Sequence, residues 1–113
     1  MTCAVFPGTF DPMTLGHMDI VRRAAGIFDT VIVAVAESAA KNPLLTLKER
    51  VDLARELTEG MPGVSVEGFS GLLSDFVVNR GASVVVRGMR PVGDFANEYQ
   101  MAATNRLLMP GVE

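Results

Sequence analysis

A glycine, two threonines and a histidine lie close together near the start of the sequence, with a spacing suited to binding an anion. Gly8 and Thr9 belong to a turn that follows an apolar run at residues 1–6, and His17 begins the next helical pattern. A turn between a strand and a helix directs backbone N–H groups and the positive end of the helix dipole towards an anion. Gly8 would let a ligand approach the backbone, Thr9 would add a hydroxyl, and Thr14 would cap the helix. The stretch predicts a phosphate site.

His17 is the only histidine in the chain, and two interpretations of it remain open at this point. In the first turn of the predicted helix it could donate a hydrogen bond to a bound phosphate. It also shares a helical face with Ile20, Val21 and Ala24, as a histidine buried in the core would. The residue is therefore either a catalytic donor or a core histidine bonded to the backbone.

Further basic residues follow two of the predicted strands. Lys41 lies beyond the strand predicted at residues 30–36, and Arg87 and Arg90 follow the strand predicted at 83–86. In an open parallel sheet, ligands bind outside the carboxyl ends of the strands. These cations would meet the turn that precedes His17 at that edge, which predicts a site for a polyanion.

The elements that would carry these residues alternate along the chain. Residues 30–36 form a continuous β-branched apolar run, as in a strand covered on both faces. Thr46 and Glu49 form a capping box, and Leu72, Leu73, Phe76 and Val77 are predicted to face inward from the third helix. The predicted strands are residues 1–6, 30–36, 64–66 and 83–86, and the predicted helices about 16–28, 46–60, 71–80 and 94–108. The fold class is α/β, an open parallel Rossmann-like sheet with helices on both faces.

Composition narrows the function further. The chain has 113 residues, is 49% hydrophobic and has a formal net charge of −3, which fits one domain with a sizeable core. No basic run exceeds Arg22–Arg23, so a nucleic-acid backbone binder is not expected. A single cysteine, Cys3, cannot form an internal disulfide and is predicted to be a core residue. With neither a signal-peptide pattern nor an apolar run long enough to span a bilayer, a cytoplasmic protein without a membrane partner is predicted.

Taken together, the motifs resemble those of a known enzyme family. The run G-T-F-D-P-(x)3-G-H, ending in Thr14-Leu15-Gly16-His17, resembles the signature of the HxGH/TxGH nucleotidyltransferase superfamily. With Lys41 and Arg87-Gly88-Met89-Arg90, the chain resembles the bacterial phosphopantetheine adenylyltransferase family. Supporting stretches are Phe28-Asp29, Thr46-Leu47-x-Glu49-Arg50, Gly68-Phe69-Ser70, Asp94-Phe95 and Asn105-Arg106-x-Leu108-Met109-Pro110.

The resemblance implies a reaction, a strand order of 3-2-1-4 and a set of roles. ATP would transfer its adenylyl group to 4′-phosphopantetheine, with Mg²⁺ bound through the ATP phosphates and a homo-oligomer, a hexamer, as the assembly. His17 would be catalytic and, with Thr9, would bracket the α-phosphate. The implied substrate-binding residues are Thr9, Lys41, Leu73 and Arg87, and the implied ATP-binding residues are Thr9, Phe10, His17, Gly88, Met89, Arg90 and Glu98.

The sequence departs from the family pattern in two places. Ala96-Asn97-Glu98 stands where the family usually has Glu-Tyr-Glu, and the chain ends at Glu113, where a fifth strand and a serine-rich loop are expected. We therefore expect residues 1–113 to form a single domain that lacks its C-terminal strand, loop and helices and has an exposed fourth strand. The alternatives are another transferase of the superfamily, using nicotinate mononucleotide or CTP, and a non-catalytic nucleotide-binding fragment.

Overall fold

The computed structural model describes residues 2–37 and 44–87 of the chain. Its elements in order are β1 (Cys3–Gly8), α1 (Leu15–Ala25), β2 (Thr30–Ala36), α2 (Leu47–Thr58), β3 (Val64–Phe69), α3 (Leu73–Asn79) and β4 (Val84–Val85). The predicted helix at 94–108, with Asp94 as its cap, lies outside the described residues. In the described ranges, no helix is long and apolar enough to cross a membrane.

The four strands form one parallel sheet in the order β3-β2-β1-β4, as the family resemblance implies. The central pair is aligned from Cys3 opposite Thr30 to Gly8 opposite Val35, whereas β4 pairs with β1 only at Ala4–Val84 and Val5–Val85. Because parallel strands end at the same edge, the segments that follow β1, β2 and β4 all leave the sheet on its carboxyl side.

Each face of the sheet is covered by helices, which confirms the predicted fold class. Phe6 and Val33 point to the face where α1 and α2 pack, through residues such as Val21, Val51 and Ala54. Their strand neighbours Val5, Ile32 and Ala34 point to the opposite face, where Phe76 and Val77 of α3 pack. Strands buried on both faces explain the continuous apolar run of β2.

Capping boxes begin two of the helices. The Thr46 side chain accepts a hydrogen bond from the backbone N–H of Glu49, and the Glu49 carboxylate accepts one from the backbone N–H of Thr46. This pair confirms the predicted start of α2. Thr14 makes the corresponding pair at α1, with His17 in the place of the glutamate.

Several predicted boundaries are wrong. β1 continues through Pro7 and Gly8, which pair with β2, whereas the sequence predicts a turn there. β3 continues to Phe69, and α1 ends at Ala25, with Gly26 as its C-cap. Leu72, predicted to face inward, is the N-cap of α3 and is 59% exposed, because the helix begins one residue after it.

Candidate functional site

The turn that links β1 to α1 lies at the carboxyl edge of the sheet. Thr9, directly after β1, has an exposed side chain. Phe10 has its side chain buried, at 3% exposure, and its backbone has φ of 50°. A bulky residue rarely adopts this left-handed conformation, and such residues cluster at ligand sites.

Gly8, the last residue of β1, has a role beside this turn that the sequence did not predict. A Cβ atom at this position would lie 3.0 Å from two atoms of the Phe10 ring. The Phe10 ring in turn contacts Phe6 and His17 edge-on, with centroids 5.2 and 5.0 Å apart. The missing side chain of Gly8 therefore makes room for Phe10 beside the imidazole.

His17 is half-buried in the first turn of α1, where hydrogen bonds with the backbone and side chain of Thr14 fix it. The Thr14 backbone N–H donates to His17 Nδ1 at 3.0 Å, and the His17 backbone N–H donates to Thr14 Oγ1 at 3.3 Å. A backbone N–H can only donate, so Nδ1 must be unprotonated and the neutral ring carries its proton on Nε2.

The charge state of His17 agrees with this tautomer. Burial lowers the pKa of the imidazole, which favours its neutral form. In the described part of the chain no acceptor binds Nε2, so this N–H can donate to a ligand. Of the two interpretations left open by the sequence, the structure combines parts of both: Nδ1 is bonded to the backbone, as in a core histidine, while Nε2 remains a donor.

Two further predicted site residues are Arg87, which follows β4, and Leu73, which begins α3. The pairing of Val5 with Val85 places Arg87, two residues further on, at the same edge of the sheet as Gly8. Leu73 is the first residue of α3 and packs, partly buried, against the core on that face. Lys41, Gly88, Met89, Arg90 and Glu98 lie outside the described residues.

A charged residue without a predicted role lies beneath this edge. Arg50 of α2 is 2% exposed, and its guanidinium donates hydrogen bonds to four backbone carbonyls. They belong to Thr9 (3.1 Å), Ala36 (2.7 Å), Glu37 (3.3 Å) and Leu45 (3.1 Å). The sequence held a signal for this burial: Arg50 lies three residues after Leu47 and four before Ala54, on the apolar face of α2.

Asp11 makes a second long-range polar contact at this edge. Its carboxylate accepts hydrogen bonds from the backbone N–H groups of Leu44, at 2.6 Å, and Leu45, at 2.8 Å. Asp11 therefore joins the turn after β1 to a segment more than 30 residues away. Leu45 is thus held at its backbone N–H by Asp11 and at its backbone carbonyl by Arg50.

A family model and several relatives match all or nearly all of this chain. The model of the cytidylyltransferase-like family matches residues 5–113. A phosphopantetheine adenylyltransferase of Cupriavidus necator is 58% identical over all 113 residues, which span 70% of that protein. Relatives of the same name from Ralstonia pickettii and Burkholderia vietnamiensis are 58% and 56% identical, and the chain spans 68% of each.

One solved structure shows the same fold at low sequence identity. It is a lipopolysaccharide core biosynthesis protein from Thermoplasma volcanium, with a TM-score of 0.72 and 21% identity. The match covers the whole of this chain and 93% of the other. At this identity the likeness concerns the fold alone.

Proposed function

We propose that this chain, which belongs to the phosphopantetheine adenylyltransferase family of cytidylyltransferase-like proteins, transfers the adenylyl group of ATP to 4′-phosphopantetheine. The products are dephospho-coenzyme A and pyrophosphate, a step of coenzyme A biosynthesis. The observation that carries the proposal is the 58% identity, along the entire chain, to relatives named for this reaction. The turn from Gly8 to His17 supports it, because it presents a neutral imidazole N–H at a helix start, where anions bind.

The reaction needs no covalent intermediate on the protein. A phosphate oxygen of 4′-phosphopantetheine attacks the α-phosphorus of ATP, a new P–O bond forms, and the bond to the bridging oxygen of pyrophosphate breaks. Catalysis then consists of positioning the two phosphates and stabilising charge on the transferring group. His17 Nε2–H donates to a non-bridging oxygen of the α-phosphate, and the Thr9 hydroxyl lies beside it.

The remaining roles follow from the position of each residue in the family pattern. Lys41 and Arg87 bind the phosphate of the acceptor, and Leu73 lines the channel for its pantetheine arm. The ATP-binding groups are Arg90, Glu98 and the backbone of Phe10, Gly88 and Met89. The φ of 50° at Phe10 supports its part, because residues held in this conformation cluster at ligand sites.

Mg²⁺ is the cofactor that we propose for this site. Mg²⁺ binds substrate phosphates and keeps several water ligands more readily than it enters an all-protein cage. Residues 2–37 and 44–87 contain no group of three or more His, Cys, Asp or Glu side chains that could hold a metal ion. In this proposal the ion would arrive bound to ATP, where it would neutralise phosphate charge.

We also propose a homo-oligomer, a hexamer by family resemblance, in the cytoplasm, where ATP is available. Light scattering of the purified protein would measure its mass in solution. A mass corresponding to a monomer would contradict the proposed assembly.

The reaction is tested by measuring pyrophosphate release with a panel of substrate pairs. We expect turnover with ATP and 4′-phosphopantetheine, and dephospho-coenzyme A as the product identified by mass spectrometry. The comparison pairs are ATP with nicotinate mononucleotide and CTP with a phosphorylated polyol. Release with either of these in preference would assign the chain to another transferase of the superfamily. Nucleotide binding without release from any pair would show a non-catalytic nucleotide-binding protein.

A further inference from the structure

We infer that Arg50 is a positioning residue for the transfer reaction, which holds the phosphate-binding turn in its reactive arrangement without touching a substrate. The inference rests on the proposed function. Arg50 is almost completely buried, and each of its described hydrogen bonds ends on a backbone carbonyl. Arg50 therefore positions the backbone, and the contacts with the substrates are made by other residues.

The four carbonyls mark the carboxyl edge of the sheet. Thr9 follows β1, Ala36 ends β2, Glu37 follows it, and Leu45 lies just before α2. These residues come from three separate segments, and one side chain fixes all of them relative to α2. Hydrogen bonds across such sequence separations determine where the segments lie relative to one another.

The bond to Thr9 links Arg50 to the chemistry. Its acceptor is the carbonyl that precedes Phe10, whose backbone has the rare φ of 50°. A conformation of this kind persists only when its surroundings hold it in place. Arg50 holds the Thr9 carbonyl from below, and the packing of the Phe10 ring holds the next residue. Together these contacts fix the Thr9–Phe10 peptide, and with it the backbone position from which the Thr9 side chain and the Phe10 backbone groups are proposed to meet ATP.

Arginine is suited to this position in a way that lysine is not. Its guanidinium presents five N–H donors in a rigid planar fork, and the bonds to the four carbonyls use Nε, Nη1 and Nη2. A lysine has three donors on one nitrogen and cannot reach carbonyls in three directions at these distances. The conservative change Arg50→Lys therefore keeps the charge and removes the geometry.

The test compares Arg50→Lys with a matched control on the same helix. Arg55 also donates to a backbone carbonyl, that of Val66 at 3.1 Å, but within β3 and away from the strand exits. Both variants and the wild type are assayed for pyrophosphate release per folded molecule, with ATP and 4′-phosphopantetheine varied separately. We expect kcat to fall by about 10²-fold in Arg50→Lys. We expect KM for either substrate to change less than kcat, and Arg55→Lys to keep the wild-type kcat.

A double-mutant cycle with Thr9→Ala tests whether Arg50 acts through the turn. When two residues act as a unit, the double variant loses less activity than the product of the two single losses. We therefore expect Thr9→Ala to cost much less in the Arg50→Lys background than in the wild type. Losses that multiply, a wild-type kcat in Arg50→Lys, or an equal loss in Arg55→Lys would each overturn the inference.

Because Arg50 is buried, Arg50→Gln serves as a second variant if the lysine variant does not fold. It retains two N–H donors and removes the buried charge, and we expect the same loss of kcat. Failure of both variants to fold would assign Arg50 to folding and overturn the positioning role. An inactive wild type would instead contradict the proposed function, so the two failures are distinguishable.

Discussion

The polar contacts at the two ends of the central strand pair β1–β2 are of different kinds. At the amino end, Thr2 and Asp29 bond to each other: the Thr2 backbone N–H donates to the Asp29 carboxylate at 2.9 Å, and the Asp29 backbone N–H donates to Thr2 Oγ1 at 3.1 Å. Both residues are exposed. At the carboxyl end, a buried guanidinium and the carboxylate of Asp11 instead bond to the backbone of three segments.

The polar contacts at the two ends of the sheet therefore have different structural effects. The Thr2–Asp29 pair joins two residues at the edge and leaves the rest of the chain unaffected. The contacts of Arg50 and Asp11 set the relative positions of segments that would surround a ligand. We therefore expect substitutions at the amino end to affect stability alone, and substitutions at the carboxyl end to affect turnover as well.

The largest effect is expected from His17→Asn. This substitution distinguishes the role of Nδ1 from the role of Nε2. The asparagine oxygen can take the place of Nδ1 and accept the Thr14 N–H, while the Nε2 donor is lost. Removing one preorganised donor to a developing oxyanion typically costs about 10²–10³-fold in turnover. We expect a loss of that size in kcat, with a melting temperature near that of the wild type.

His17→Ala is the companion variant, since it removes both nitrogens. It should lose turnover to the same extent and also lose stability, because the bond from the Thr14 N–H to Nδ1 disappears. Normal turnover per folded molecule in either variant would make His17 a purely structural residue and remove the proposed donor from the mechanism.

A smaller effect is expected from Asp11→Ala at the carboxyl end. This change removes the acceptor for the N–H groups of Leu44 and Leu45, and hydrogen bonds to a charged group contribute about 1.5–3 kcal/mol each. We expect the free energy of unfolding to fall by about 1–3 kcal/mol, since water can replace part of these bonds. Turnover per folded molecule should fall as well, as measured by pyrophosphate release.

Asp29→Ala is the control for Asp11 at the amino end. Its carboxylate also accepts from a backbone N–H, that of Thr2, and this bond holds the pKa of Asp29 below its usual range. We expect a modest decrease in melting temperature and unchanged kcat. Equal losses of turnover in the two variants would remove the distinction between the two ends of the sheet.

The smallest effect concerns the protonation of His17. Burial lowers its folded-state pKa, so the folded state binds this proton less tightly than the unfolded state. The contribution to stability is therefore present above the ordinary value of about 6.5 and is lost as the pH falls through the lower folded value. Since the chain has one histidine, its ring proton can be followed by NMR without assignment, and we expect a midpoint below 6.5. A midpoint above that value would contradict the effect of burial on the pKa of His17.

Much of the fold could be predicted from the sequence because the strong signals are local. The uninterrupted apolar run of β2 and the Thr46–Glu49 capping box gave the correct element type and place. The end of β1 was missed because Pro7 and Gly8 are typical of turns, yet pairing with β2 extends the strand through both. Leu72 was misplaced because its helical spacing gives no sign that the helix begins one residue later.

The site could be predicted in part for a similar reason. His17 stands in a motif of consecutive residues, so its place at the start of α1 was accessible from the sequence. The partners of Arg50 and Asp11 lie up to 41 residues away, and those in the described ranges are all backbone atoms, which leave no pattern of residue types. The tautomer of His17 also required the structure, since it depends on which nitrogen meets the Thr14 N–H.

The choice of backbone carbonyls as acceptors has a consequence for how this enzyme family can diverge. Every amino acid supplies a carbonyl, so changes of residue type at positions 9, 36, 37 and 45 preserve the bonds to Arg50, provided that the backbone path is kept. An insertion or deletion that moved one of these positions relative to α2 would break its bond. Residue types around the site are therefore free to vary while the backbone path at these four positions is constrained, and substrate preference can evolve without loss of the bonds to Arg50.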